Sequence, residues 1–524
     1  MKDPITVEII AEGLEAAAQE MLLVLQRTAM SPIVYEVLDA GAGITDAAGR
    51  LVASGAGIPT FVSIIDRAVR AVHAHFGEDI RPGDIFLTNE PSQGGVTHLN
   101  DVAAVMPVYA IGRRVAWVGV IAHWSDVGGG VAGSMMAGAG ELFQEGIRIP
   151  PIKVAEGGKI LTHVFRLLKT NSRLPDFLEG DLWAQIAALK AGERRVRELA
   201  RRYGYEVFVD TLNEILEAGY KRALQGLANL PQGDFALEEE QDDGSCFRVR
   251  VQIRPDQFVV DLRDNPDQMP GPYNLYRDAT EIAAQMIFKA LVDPRREGAN
   301  AGFFRPLKVI TRPGSLFDAL PPAACGFYYE LRMRVYDLIW RCLATHHPAL
   351  LPAGHFATIG GTVLSGRNPD NQKAYVLVEP QPGGWGAFWE GDGVSTLFSA
   401  FHGETYICPA EVAEARYGLE VERMALNEEK GGEGRYRGGK GFVRVYRMRA
   451  EALLTVGFTR TRIPPWGLAG GGPGTPNRVE IIYPDGSIRR LGIASGVRLP
   501  PGARVRIVTG VGGGYGARGD SEGR

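Results

Sequence analysis

Two short segments constrain this chain more than any other feature. Gly94-Gly-Val-Thr-His-Leu-Asn-Asp-Val102 and Ala122-His-Trp-Ser-Asp-Val-Gly-Gly-Gly130 each carry a histidine followed three residues later by an aspartate. Histidine is scarce here, nine in 524 residues, so the pairing stands out. Between the segments lie two strand-like runs, 102–109 and 115–122, joined by Ile111-Gly-Arg-Arg114, a hairpin-type connection. An antiparallel hairpin returns the end of its second strand beside the beginning of its first. His98 and Asp101 are therefore expected to meet His123 at one edge of a sheet.

Neutral imidazole and carboxylate are the ligand pair that suits zinc, manganese or iron. A divalent ion takes about three or four such ligands, often leaving a position for water or substrate. His98, Asp101 and His123 supply three. A fourth is either Asp39, in Val34-Tyr-Glu-Val-Leu-Asp-Ala40, or Asp126, on the His123 turn. The same spacing also suits two local caps in which each carboxylate orients its own imidazole, and the residues alone leave both readings open. A metal would narrow the chemistry to Lewis-acid activation of a carbonyl or of water.

Other acids sit beside glycines: Glu141 and Glu145 in Gly140-Glu-Leu-Phe-Gln-Glu-Gly146, and Asp392 in Glu390-Gly-Asp-Gly393. Such carboxylates usually form turns. Glu145 is favoured to touch substrate, because it lies near the metal segment in sequence. Gly434-Arg-Tyr-Arg-Gly-Gly-Lys-Gly441 approaches a phosphate-binding loop, but Gly441 stands where Ser or Thr should hold magnesium, and no apolar strand leads into it. The chain is expected to bind no nucleotide itself. No Gly-x-Ser-x-Gly elbow is present, and the four cysteines (Cys246, Cys325, Cys342, Cys408) are scattered, as reduced, mostly buried thiols are.

A net charge of −4 offers no field for nucleic acid or an anionic membrane. Residues 6–28 read as an amphipathic helix with Val7, Ile10, Leu14, Ala17, Met21 and Leu25 on one face. Glu8, Glu12, Glu15 and Glu20 interrupt it, unlike a signal-peptide core, and no apolar run approaches the roughly 20 residues of a membrane span. The expected location is the cytoplasm. Helices are also expected over about 62–76, within 176–230, and at 277–292 and 327–345, with a hairpin over 245–265. Three units follow: residues 1–175, an N-terminal metal-bearing α+β domain; 176–354, a central mixed domain with helical segments; and 355–524, a β-rich C-terminal domain.

The chain resembles the hydantoinase B family over almost its whole length. The likeness rests on the two histidine segments and on Asp3-Pro-Ile-Thr-Val7, Thr28-Ala-Met-Ser-Pro32, Phe143-Gln-Glu-Gly-Ile-Arg-Ile-Pro-Pro151 and Gly180-Asp-Leu-Trp-Ala-Gln-Ile186. It continues in Gly271-Pro-Tyr-Asn274, Asn300-Ala-Gly-Phe-Phe-Arg-Pro306 and Gly432-Glu-Gly-Arg-Tyr-Arg-Gly-Gly439. The family includes B-type subunits of ATP-dependent N-methylhydantoinases and lactamases, the B half of 5-oxoprolinases, and a large subunit of acetone carboxylases.

The resemblance implies an α+β, mixed multi-layer hydantoinase-B-like architecture with a β-rich C-terminal part. It implies that His98, Asp101 and His123, completed by Asp39, bind manganese or zinc, with Glu145 or Asp126 as base or as orienter of a ligand. It implies an A-type partner that binds ATP and phosphorylates the substrate, so that this chain serves in a hetero-oligomer as the metal-dependent half of a hydrolase. The substrate would be a hydantoin, 5-oxoproline or another lactam. A ketone carboxylase role is the alternative within the family, and a non-catalytic scaffold for the ATP-binding partner is the alternative outside catalysis. Two departures bear on the pocket: segment 58–64 lacks a His that many relatives carry, and Trp124 stands where His is frequent. Both are expected to reshape it.

Overall fold

The computed structural model describes residues 3–295, 298–403 and 405–518. Its first helix, Pro4–Thr28, begins where the sequence supplies a cap. The Asp3 carboxylate accepts the Ile5 N–H at 3.2 Å, and Pro4 occupies the first turn, where an N–H would go unpaired. Ile10, Leu14, Ala17, Met21 and Leu25 are buried at three- and four-residue steps. That stripe packs on the helix Pro175–Tyr203. The helical stretch expected over 176–230 is two helices, Pro175–Tyr203 and Tyr205–Ala228, because Gly204 turns the chain at φ 82°.

Seven antiparallel strands form the first sheet. They are β1 (Ala40–Asp46), β2 (Leu51–Gly57), β3 (Ile85–Thr88), β4 (Asp101–Ala110), β5 (Arg113–His123), β6 (Ile152–Glu156) and β7 (Lys159–Ile160), in the order β2-β1-β5-β4-β3-β6-β7. The β4–β5 hairpin turns tightly. Ala110 pairs with Arg113, and Ile111 and Gly112 make the turn with φ of 52° and 71°. Two positive φ values give the turn whose twist matches antiparallel strands. At the far end the register sets Asp101 opposite His123.

Both faces of this hairpin are buried, which is why β4 reads as a continuous apolar run instead of an alternation. Val102, Ala104, Met106 and Val108 join the main core with the long helices. Ala103, Val105, Trp117 and Ile121 pack instead with Phe61, Ile64, Ala68 and Val72 of the helix Pro59–Phe76. Gly119 lets that helix lie close, since a Cβ there would fall 2.4 Å from Ile65 Cγ2. By strand parity, Asp101 and His123 share this second face, at its end.

A four-stranded sheet follows (Gly233–Glu240, Cys246–Arg254, Gln257–Asp261 and Leu307–Ile310). The helix Arg277–Val292 lies between its last two strands, and the helix Tyr328–His346 follows the sheet. Almost every residue of Tyr328–His346 is buried, Glu330, Arg332, Arg334 and Asp337 included. Beyond residue 355 two antiparallel sheets dominate, one of four strands and one of five, and Ala410–Arg416 is the one helix among the described residues. The molecule thus mixes helices with several sheets, as expected of an α+β architecture with a β-rich C-terminal part.

The glycine-rich segments of this part lie backbone against backbone. A Cβ on Gly438 would fall 1.8 Å from the Gly512 carbonyl oxygen, and one on Gly441 1.9 Å from that of Thr509. The glycines of Gly434–Gly441 therefore serve chain packing. No helix among the described residues is long and apolar enough to cross a membrane.

Candidate metal centre

The hairpin register does what the sequence pattern required. Ligand atoms of His98, Asp101 and His123 lie within 4.8 Å of one another, all buried. His98 Nε2 is 3.4 Å from Asp101 Oδ1, and the two imidazole centroids are 5.2 Å apart. The preceding turn supplies His98, and its carbonyl accepts the Asp101 N–H at 3.1 Å, which seats both residues at the start of β4. His123 is held by its own N–H, which the Asp39 carbonyl accepts at 3.1 Å.

Polar satisfaction separates a metal site from a pair of caps. In two local caps Asp126 would be spent on His123 as Asp101 is on His98, but Asp126 bonds elsewhere and Asp101 meets His123 across the hairpin. Here Asp101 Oδ1, His98 Nδ1 and His123 Nδ1 are buried and lack a hydrogen-bond partner. The other Asp101 oxygen accepts from Thr97 Oγ1 and, at 3.1 Å, from the Tyr328 hydroxyl. Buried polar atoms are rarely left orphaned, and a bound ion is one of the reasons they are. Burial lowers the His123 imidazole to about 4 against the pull of Asp101, so at neutral pH it is an uncharged donor. Burial would raise Asp101, but His98, His123 and Thr97 together hold it below its ordinary value. This donor set fits a divalent cation.

Asp39 lines the same cavity, beside the three-residue cluster. Burial and the facing Asp101 charge push its carboxyl well above the ordinary range, with Arg332 opposing. Two carboxylates facing one space favour a cation there. The helix Tyr328–His346 closes the opposite wall with Tyr328 and Arg332, and His402 joins from the C-terminal part. Burial, with Arg332 adding to it, pulls His402 down to about 3. Ile58, Phe61, Met135, Ile359 and Val378 supply the apolar lining.

The sequence model described as Hydantoinase B/oxoprolinase matches residues 3–518. The chain belongs to the hydantoinase B/oxoprolinase family. Among curated relatives it is 28% identical to the caprolactamase beta chain of Pseudomonas jessenii, over 98% of this chain and 91% of that one. It is 26% identical to the putative B-type component of a D-/L-hydantoinase from a Pseudomonas strain, over 98% and 90%. The 5-oxoprolinase of Saccharomyces cerevisiae is 27% identical over 98% of this chain, which spans 42% of that longer protein. The crystal structure of the ATP-dependent caprolactamase from P. jessenii superposes with a TM-score of 0.92 at 27% identity, covering 99% of this chain and 92% of that one. An acetone carboxylase structure shares the fold, with a TM-score of 0.87 at 18% identity over 98% of this chain and 76% of that one.

Within this hydantoinase B/oxoprolinase chain, the remaining candidates fall outside the cavity. The Asp126 carboxylate, expected as a ligand or base, is fully engaged elsewhere. It accepts from the N–H groups of Gly128, Gly133 and Arg173 at 2.9–3.1 Å and from the Arg173 guanidinium at 3.1 Å. It organises the glycine loop after β5. Glu145 is buried with both oxygens taken, one by the Gly326 N–H at 2.6 Å and one by the Cys325 N–H at 3.1 Å. Burial raises its carboxyl to about 7 despite those bonds and nearby His98. It anchors the turn that delivers Tyr328 to Asp101.

Trp124 does not line the pocket. It is next to His123 on the strand exit, points the other way, and donates its indole N–H to Gln185 at 3.0 Å. Of the two departures from relatives, only segment 58–64 reaches the cavity, through Ile58 and Phe61. Tyr328, Arg332 and His402 were missed by sequence reasoning. Arg332 and His402 carried one signal each, a charge interleaved with large apolar residues over 328–346 and the rarity of histidine, and nothing singled out Tyr328.

Proposed function

We propose that this chain is the metal-bearing B-type component of an ATP-dependent cyclic-amide hydrolase, opening a hydantoin, 5-oxoproline or lactam ring after an A-type partner has phosphorylated the substrate. The observation that carries the reading is the buried cluster of His98, Asp101 and His123, whose ligand atoms lie within 4.8 Å of one another. The relatives named as a hydantoinase component, a caprolactamase beta chain and a 5-oxoprolinase support the substrate class, and the first two support the need for a second subunit. Manganese or zinc suits the donor set.

His98, Asp101 and His123 would hold the ion, with Asp39 beside them. When bound, the ion supplies Lewis-acid stabilisation of developing oxyanion charge and activation of water. Thr97 and Tyr328 fix the Asp101 carboxylate by donating to one of its oxygens, leaving the other facing His98. Asp39 lines the cavity beside the cluster, where it would complete the ligand set or exchange a proton with the substrate. Burial of the cluster keeps bulk water out. Glu145 and Asp126 act through the backbone they hold.

Metal analysis of the purified full chain and reconstitution with an A-type partner test the reading. The expected result is about one transition-metal ion per chain and ATP-dependent hydrolysis of hydantoin, 5-oxoproline or caprolactam that His98→Ala abolishes. Bicarbonate-dependent turnover of acetone would overturn hydrolysis in favour of carboxylation. A metal-free chain whose His98→Ala variant leaves complex activity intact would point to a scaffold.

A further inference from the structure

We propose that Arg332 is an oxyanion-binding residue, receiving a phosphoryl or carboxylate group of the molecule that occupies the His98–Asp101–His123 cavity. Five arginines are buried among the described residues: Arg67, Arg332, Arg334, Arg444 and Arg460. Four of them are paired. Arg67 meets Asp66, Asp278 and Glu281; Arg334 and Arg460 share Asp337; and Arg444 faces Glu379. Arg332 is the exception. It is 2% exposed, its Nε and Nη1 have no hydrogen-bond partner, and no carboxylate oxygen of a described residue lies within the 4.0 Å of an ion pair.

Its guanidinium has aromatic neighbours. The guanidinium carbon lies 4.9 Å from the Tyr328 ring centroid and 4.5 Å from that of Phe401. Those rings stabilise the cation through their faces but cannot accept its in-plane N–H groups. The Nε and Nη1 donors are left for something else, and Arg332 lines the cavity. A guanidinium cannot shed its proton, so a buried one calls for an anion. Asp39 feels its charge across the cavity yet stays beyond ion-pair distance. An oxyanion fits these donors because the guanidinium fork matches carboxylate and phosphate in a bidentate manner. The apolar residues Ile58, Phe61 and Val378 would accept the rest of a compact molecule.

The inference rests on the proposed function only for which molecule brings the oxyanion. A phosphorylated intermediate would present a phosphoryl group, and a 5-oxoproline-like substrate would present its own carboxylate.

Calorimetric titration of the full chain with inorganic phosphate, and separately with acetate, tests it without ATP or a partner. Saturable binding is expected, weakened about ten- to hundredfold by Arg332→Gln at unchanged metal content, as loss of a charged hydrogen bond predicts. Preference for phosphate assigns the phosphoryl source, and preference for acetate the carboxylate source. Unchanged affinity for both anions in Arg332→Gln, or no saturable binding of either to the wild type, overturns the proposal. Should Arg332→Gln fail to fold, Arg332→Lys decides. Lysine keeps the charge but loses the fork, so weaker binding supports the assignment and equal binding overturns it. Anion binding that depends on Arg332 in a chain whose reconstituted complex hydrolyses nothing would refute the proposed function and leave this assignment standing.

Discussion

Asp101 is the residue on which most of the site depends. It is fully buried, with one oxygen accepting from Thr97 and Tyr328 and the other 3.4 Å from His98 Nε2. Asp101→Asn keeps the shape but removes the charge, and its amide would set a donor against Thr97 and Tyr328 or against the ion. Metal content measured by elemental analysis is expected to fall at least tenfold, with hydrolysis lost alongside it. Glu145 makes a different prediction. Its carboxyl is raised from an ordinary value near 4.5 to about 7, so between those values the folded state binds more protons than the unfolded one. Stability from this group is therefore lost as pH rises from 4.5 through 7, by on the order of 3 kcal/mol when complete. Urea midpoints across that range should show the wild type losing ground to Glu145→Gln as pH increases. A constant difference between the two would mean that Glu145 stays ionised throughout.

At the scale of elements, the β4–β5 hairpin and the helix Pro59–Phe76 set the site's position. Ile111 sits in the hairpin turn at φ 52° and is 57% exposed, a poor choice for a β-branched residue in a left-handed position. Ile111→Asn should raise stability by about 1 kcal/mol with activity unchanged. Gly119→Ala should do the opposite. Its Cβ would meet Ile65 Cγ2 at 2.4 Å, a methyl fixed to a branched carbon that cannot swing aside. A loss of about 1–3 kcal/mol is expected in denaturant titration. Gly192→Ala meets the flexible end of Met21 instead, at 2.2 Å from its sulfur, and should cost less. The helix Pro59–Phe76 begins earlier than its apolar spacing suggested, because Pro59 is well placed in a first turn.

Across the whole molecule, distant segments are tied by buried charge. Arg460, from the C-terminal part, meets Glu239 of the second sheet at 2.8 Å and also Asp337 of the helix Tyr328–His346. Arg460→Ala would leave two carboxylates buried with reduced compensation, a loss of about 3–5 kcal/mol measurable by thermal or denaturant unfolding. The same long-range assembly explains what could be read in advance. Residues 6–28, the β4–β5 hairpin and the helices near 277–292 and 327–345 are local patterns, written in periodicity and turn residues. The meeting of His98, Asp101 and His123 is nearly as local, since one tight turn decides it. Asp126 shows where local reading stops. Its spacing from His123 matches that of Asp101 from His98, yet its carboxylate turns to Gly128, Gly133 and Arg173. Sequence by itself determined the family, the α+β character and the three clustered donors, because each depends on neighbours within a strand pair or on motifs spread along the chain. Tertiary structure alone placed Tyr328, Arg332 and His402 around them and withdrew Asp126 and Trp124, because a side chain's partners depend on which distant surface packs against its strand or helix.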